Sequence, residues 1–215
     1  MTLSTLTAIS GLGLFLLGSL LVPTARGQGH LVQLRVSVFN SSPISPYTIA
    51  GAEGKASRIL RDAGVAVIWL NCPQDPLRDA SFGKCAEVSF PFHLNLRILP
   101  SSRDATPSTV GMAFLDENGE GCSADLFYEP AQQLQAESDV PISVILGHAM
   151  AHELGHLLLG TNAHSLSGLM RAHWSHEDLI NMAKGNLRFS HEQSIRITNR
   201  LAREEHQGTI AMVGN

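Results

Sequence analysis

Two histidines four residues apart with a glutamate after the first, "HELGH" at residues 152–156, form the most chemically suggestive spacing in this chain. On an α-helix turning about 100° per residue, His152 falls about 40° past His148, His156 about 80° and Glu153 about 140°. Leu146, Met150, Ala151, Leu154, Leu157 and Leu158 take the opposite arc, and Ile145 and Ala149 intrude on the polar one. That mixture predicts a polar stripe facing a cleft instead of open water. His152 and His156 stand one turn apart, so their imidazoles can converge on one ion at about the 2.0–2.1 Å of a zinc–nitrogen bond. Glu153 points further round the helix, placed for a water on that ion and not for the ion itself.

Two ligands do not make a site. A catalytic zinc takes three protein ligands and keeps one position open, whereas a structural zinc is closed by four. His164 is the best third candidate. Gly160 stops the helix and permits a left-handed turn, and His164 follows four residues later, where a reversing chain returns beside His156. Glu177, twenty-one residues beyond His156, is the nearest rival, with His173 and His176 behind it. His148 reads as a cleft or supporting residue, and His30, His93, His191 and His206 as surface histidines.

The elements that must hold these residues follow from periodicity. "SDVPISVILGHAMAHELGHLLLG" predicts one long helix, with Ser138 and Asp139 as cap residues, a proline near its first turn and Gly160 as its stop. Upstream, "LVQLRVSVF" alternates as a half-buried strand, and "FHLNLRIL" does the same. "VAVIWL" is a continuous apolar run, expected for a central strand covered on both faces. "AEGKASRILRDAG" carries helical spacing between them, after a loop "NSSPISPY". "STVGMAFLD" and "CSADLFYE" are weaker strands around a glycine turn. Two shorter helices open on capping boxes, Ser175 with Asp178 and Ser190 with Gln193. Strands in the first half and helices in the second predict an α+β domain with one sheet.

The 215 residues suit one domain, and 44% hydrophobic against 16% charged residues predicts a packed core. A formal charge of −4 gives no basic surface for nucleic acid. The uncharged apolar run at residues 6–22, followed by "PTARGQ", reads as a secretory signal peptide over residues 1–27, leaving residues 28–215 as the folded domain. The alternative is an uncleaved anchor. No later stretch reads as a bilayer span, so the mature chain is expected in a secreted or periplasmic setting. Export permits disulfides. Of Cys72, Cys85 and Cys122, the first two flank a Pro- and Asp-rich loop and are the first choice for pairing, with Cys85–Cys122 the rival.

"HELGHLLLGTNAHSLSGLM" resembles the active-site segment of the metzincin zinc metallopeptidases, nearest to the matrix-metalloproteinase-like branch. That family carries HExxHxxGxxH and a later methionine turn. Here one extra residue stands before the glycine and another before the third histidine, so Leu159 and Asn162 occupy the family's usual Gly and His positions. The resemblance implies a zincin-like single domain: a mixed twisted sheet with a backing helix, a long active-site helix and a helical C-terminal part. It implies Zn²⁺ on His152, His156 and His164, Glu153 as general base and Met170 as a hydrophobic floor. It implies hydrolysis of peptide or protein substrates. Some members add a tyrosine after the methionine turn; this chain has only Tyr47 and Tyr128, and His173 is the nearest substitute. Three rival readings are an inactive zinc-binding or interaction domain of the same fold, a thermolysin-like zincin with Glu177 as third ligand, and a structural domain without metal.

Overall fold

A computed structural model describes residues 31–73, 82–86, 88–102, 106 and 108–213, with side chains to residue 206 save those of residues 82 and 86. The expected signal peptide at residues 1–27 lies outside them, as does His30. Strand β1 (Val32–Asn40) leads into helix α1 (Pro46–Asp62) and strand β2 (Val65–Cys72). A short helix α2 (Phe82–Ala86) precedes β3 (His93–Leu99), β4 (Gly111–Phe114) and β5 (Ser123–Phe127). Helices α3 (Tyr128–Ser138), α4 (Ile142–Leu159), α5 (His176–Ala183) and α6 (His191–Val213) complete the chain. The strands form one mixed sheet in the order β2-β1-β3-β5-β4. Neighbours run parallel except β4, which pairs antiparallel with β5 and forms one edge. The domain is α+β with a helical C-terminal part, as the element pattern predicts.

The core lies between the sheet and helices α1 and α4. Leu34, Val36 and Val38 of β1 and Leu94, Leu96 and Ile98 of β3 are buried on one face. Helix α1 packs on β2 and along α4, and α4 lies against β4 and β5. Helix α4 alone buries sixteen consecutive residues, Val144 to Leu159. It is long and apolar enough to cross a bilayer, contrary to the sequence expectation, yet it is 89% buried within the domain. Its apolarity is that of a core helix enclosed on nearly all sides.

Four further expectations change. "VAVIWL" forms β2, an edge strand and not a central one, and Ile68 stands 39% exposed on it. Hydrophobic runs do not specify which strand lies beside which, because pairing partners are remote in sequence. Ser138 and Asp139 do not cap the long helix. They close α3, a helix the periodicity did not reveal, in which Ala131 is the only fully buried residue. Asp139 takes the left-handed conformation at its end, and Pro141 occupies the N-cap of α4 with no side-chain cap. Helix α1 begins inside the supposed loop, at Pro46, because Ser45 Oγ accepts from the Thr48 N–H and Pro46 suits the first turn. Finally, His93 is buried and not a surface residue. Its Nε2 lies 2.8 Å from the Oγ of Ser37, a buried serine on the face opposite Val36 and Val38.

The remaining local signals form as read. Ser175 and Asp178 make a reciprocal capping box on α5. The Ser190 N–H donates to Gln193 Oε1 at 2.8 Å, while the Gln193 N–H donates to Ser190 Oγ at 3.1 Å. Cys72 and Cys85 are disulfide-bonded and Cys122 is a free, half-buried thiol.

Candidate metal centre

The centre is built on the last two turns of α4 and the loop that follows. Gly160 ends the helix at φ 68°, its N–H donating to His156 O. An L side chain is strained there, and a Cβ would also strike the Arg200 guanidinium. The turn sends the chain back across the helix face and brings the exposed His164 over the two buried histidines. The His164 ring lies 5.4 Å from that of His152 and 4.8 Å from that of His156, centroid to centroid. One ligating atom from each of His152, His156 and His164 falls within 4.8 Å of the others.

The hydrogen bonds around the pair decide which nitrogens face inward. His152 Nδ1 lies 2.8 Å from Leu169 O, and His156 Nδ1 lies 2.8 Å from Thr161 O. A carbonyl only accepts, so both Nδ1 atoms carry the proton and both Nε2 atoms keep a lone pair. Those two Nε2 atoms sit 3.0 Å apart. Two lone pairs so close repel unless a cation lies between or beside them. Burial, then the neighbouring histidines, pushes the His152 pKa down to about 3, and burial is the main cause of the lowered values at His156 and His164. The imidazoles are therefore neutral, the form that ligates metal. This donor set, three imidazole nitrogens of which two are held by carbonyls behind them, fits Zn²⁺.

Glu153 is the other half of the site. It is 5% exposed, and burial alone raises its pKa to about 8. It lines, with His152, His156 and His164, a cleft of about 590 Å³. Edge strand β4 and helix α3 form one side of this cleft, and residues 171–174 form the other. A cleft bounded by an unpaired strand edge can take an extended peptide by main-chain hydrogen bonds.

The other histidine candidates separate by position. His148 is buried but does not line the cleft; its Nδ1 donates to Val144 O at 2.8 Å, and burial, with the charges of Lys55 and Arg58 on α1 adding to it, depresses its pKa. The residues of α4 that face the cleft are Ala149, His152, Glu153 and His156, so the first histidine of the polar stripe falls outside it. His173 lines the cleft, whereas Glu177 is exposed on the first turn of α5, outside both the cleft and the histidine cluster.

Apart from Met170, which the resemblance singled out as a floor, the residues that support the centre carried no sequence signal. Leu169 O accepts from both His152 Nδ1 and, at 3.1 Å, Trp174 Nε1, and the Trp174 ring meets His152 edge-on. Met170 is buried beneath the helix beside Phe189; a Cβ on Gly155 would lie 2.8 Å from Met170 Sδ and 2.6 Å from the Phe189 ring. Arg200 of α6 donates from Nη2 to Gly119 O at 2.7 Å and from Nη1 to Leu157 O at 3.3 Å. It ties the helix end to the β4–β5 turn while stacking over Phe90. The Arg200 contacts join residues 43 and 81 positions apart, so no local pattern announces them.

No family model and no curated protein matches the chain. Among solved structures, a zinc-dependent peptidase from Methanocorpusculum labreanum is similar at 14% identity, covering 75% of this chain and 99% of its own, with a TM-score of 0.48. Archaemetzincin from Methanopyrus kandleri is similar at 15% identity over 82% of this chain and 99% of that one, TM-score 0.48. Metalloproteinase-II from Bacteroides fragilis is similar at 14% identity over 80% of this chain and 54% of that one, TM-score 0.44.

Proposed function

We propose that the protein is a secreted zinc-dependent endopeptidase in which His152, His156 and His164 hold the metal and Glu153 is the general base. The observation that carries this reading is the pair of Nε2 lone pairs 3.0 Å apart, each imidazole proton already committed to a main-chain carbonyl, beside a buried carboxylate in an open cleft. Zinc, when bound, supplies Lewis acidity toward a carbonyl oxygen and toward water.

The protein's own residues do the rest. The edge of β4 aligns an extended peptide along the cleft. Glu153 accepts one proton from water as its oxygen attacks the peptide carbon, then returns that proton to the leaving nitrogen as the C–N bond breaks. Burial without a cationic side-chain partner strengthens it as a base. His173 faces the same cleft and is placed to donate to the developing oxyanion. The apolar run at residues 6–22 and the Cys72–Cys85 disulfide support export, with Gln28 as the mature N-terminus.

The deciding variant is Glu153→Gln, which keeps shape and removes the base. It should retain about one zinc per chain while peptide hydrolysis falls by at least about 100-fold. Full activity in this variant would remove Glu153 from the mechanism. Zinc in the wild type without cleavage of any peptide in a mixed library, read by mass spectrometry, would instead make the protein a metal-binding domain.

A further inference from the structure

We propose that Gly111 is a positioning residue, the one that sets where the Glu153 carboxylate stands; this rests on the reading of Glu153 as the base. Gly111 opens the edge strand β4 and pairs with Leu126 of β5. Side chains alternate along a strand, so Gly111 and Ala113 share one face, and Met112 and Phe114, 36% and 43% exposed, take the other. The face toward α4 thus carries the two smallest side chains. At Gly111 the fit leaves no room at all. A Cβ there would lie 2.5 Å from Glu153 Oε1, 2.6 Å from its Cγ and 2.8 Å from its Cδ.

Gly111 is not needed for its backbone angles: it is absent from the positive-φ positions, and it sits in a regular ladder. Glycine inside a strand otherwise weakens it, and its usual meaning is the close approach of another group. The group here is the Glu153 side chain. Its Oε1, Cγ and Cδ take up the space a Cβ at position 111 would need, with the buried α4 behind them. A methyl group at position 111 leaves it one way out, into the cleft and off the line between the histidine cluster and the strand edge. The absent Cβ is what lets the base and the peptide-aligning edge stand so near one another.

The test is Gly111→Ala, examined by metal analysis, by a crystal structure of the metal-free protein and by kinetics on a peptide that the wild type cleaves. The expected result is full zinc content, a Glu153 carboxylate displaced into the cleft, and kcat lowered by about 100-fold with KM within twofold. A carboxylate in its original place with unaltered kcat would overturn the proposal, as would loss of zinc, which would tie Gly111 to the ligand framework instead. If Gly111→Ala does not fold, Gly111→Ala/Glu153→Ala decides. Recovery of folding in the double variant identifies the collision with Glu153 and supports the proposal; failure of both assigns Gly111 to the strand and overturns it. A displaced carboxylate in Gly111→Ala, in a protein whose wild type cleaves no peptide, would leave the positioning role standing and remove the peptidase reading.

Discussion

At the scale of single residues, the centre depends on which nitrogen each imidazole offers. Leu169 O and Thr161 O hold the protons of His152 and His156 away from the cluster, so the remaining lone pairs converge. His164 has no such anchor. It is exposed and owes its place to the turn at Gly160. Removing it should therefore cost metal binding without disturbing the core. His164→Ala should weaken zinc affinity by more than about 100-fold, since one of three ligands is lost. Glu177→Ala, altering an exposed group outside the cluster, should leave zinc affinity unchanged. Competition with a chelator measures both. Unaltered affinity in His164→Ala with loss in Glu177→Ala would move the third ligand to α5.

At the scale of elements, helix α4 is defined by what encloses it. Its first turns pack on α1, where His148 is buried near Lys55 and Arg58; its last turns carry the histidine cluster and are tied by Arg200 to the β4–β5 turn. Burial, opposed in part by the bond to Val144 O, brings the His148 pKa down to about 4 from 6.5. Its folded-state pKa lies below the unfolded one, so between about pH 6.5 and 4 the unfolded chain binds the extra proton. Stability owed to this residue is complete above pH 6.5 and is lost as pH falls toward 4. Wild type should lose up to about 3 kcal/mol more than His148→Gln across that window, read from urea unfolding at each pH. Parallel curves for the two proteins would mean that His148 does not titrate between those limits.

At the scale of the whole molecule, the sheet is the frame that places the edge strand β4 beside helix α4 in one cleft. Among the described residues β4 is the last strand and only β5 pairs with it, which leaves its outer edge for the proposed peptide. The opposite edge, β2, is tethered by the disulfide between its last residue and α2. The proposed export gives a prediction for the complete chain. Protein recovered from outside the producing cell should begin at Gln28 and, after denaturation without reductant, should contain one alkylatable thiol, that of Cys122, since Cys72 and Cys85 are bonded. N-terminal sequencing and intact mass check both. A chain that keeps residues 1–27 would be anchored, and three free thiols would place it in a reducing compartment.

The sequence by itself determined what local periodicity and short-range hydrogen bonding can determine. The spacing of His152, Glu153 and His156 puts them on adjacent turns of any helix that forms there, and the apolar residues around them require that helix to be buried. Gly160 ends it because a left-handed residue is needed, and Ser175 and Ser190 begin helices because their side chains bond three residues ahead. Alternation sufficed to identify β1 and β3, while loop chemistry made Cys72–Cys85 the first choice and left Cys85–Cys122 open until the structure bonded the former pair. Tertiary structure decided everything that depends on residues distant in sequence. It set β2 at an edge, buried His93 against Ser37, and turned His148 toward α1 and out of the cleft. It gathered His164, and not Glu177, with the histidine pair, and it laid the Glu153 carboxylate against the bare backbone of Gly111. These outcomes follow from packing between elements, where a few tenths of an ångström of space, or one carbonyl in reach, chooses among arrangements that the chain's local preferences leave equal.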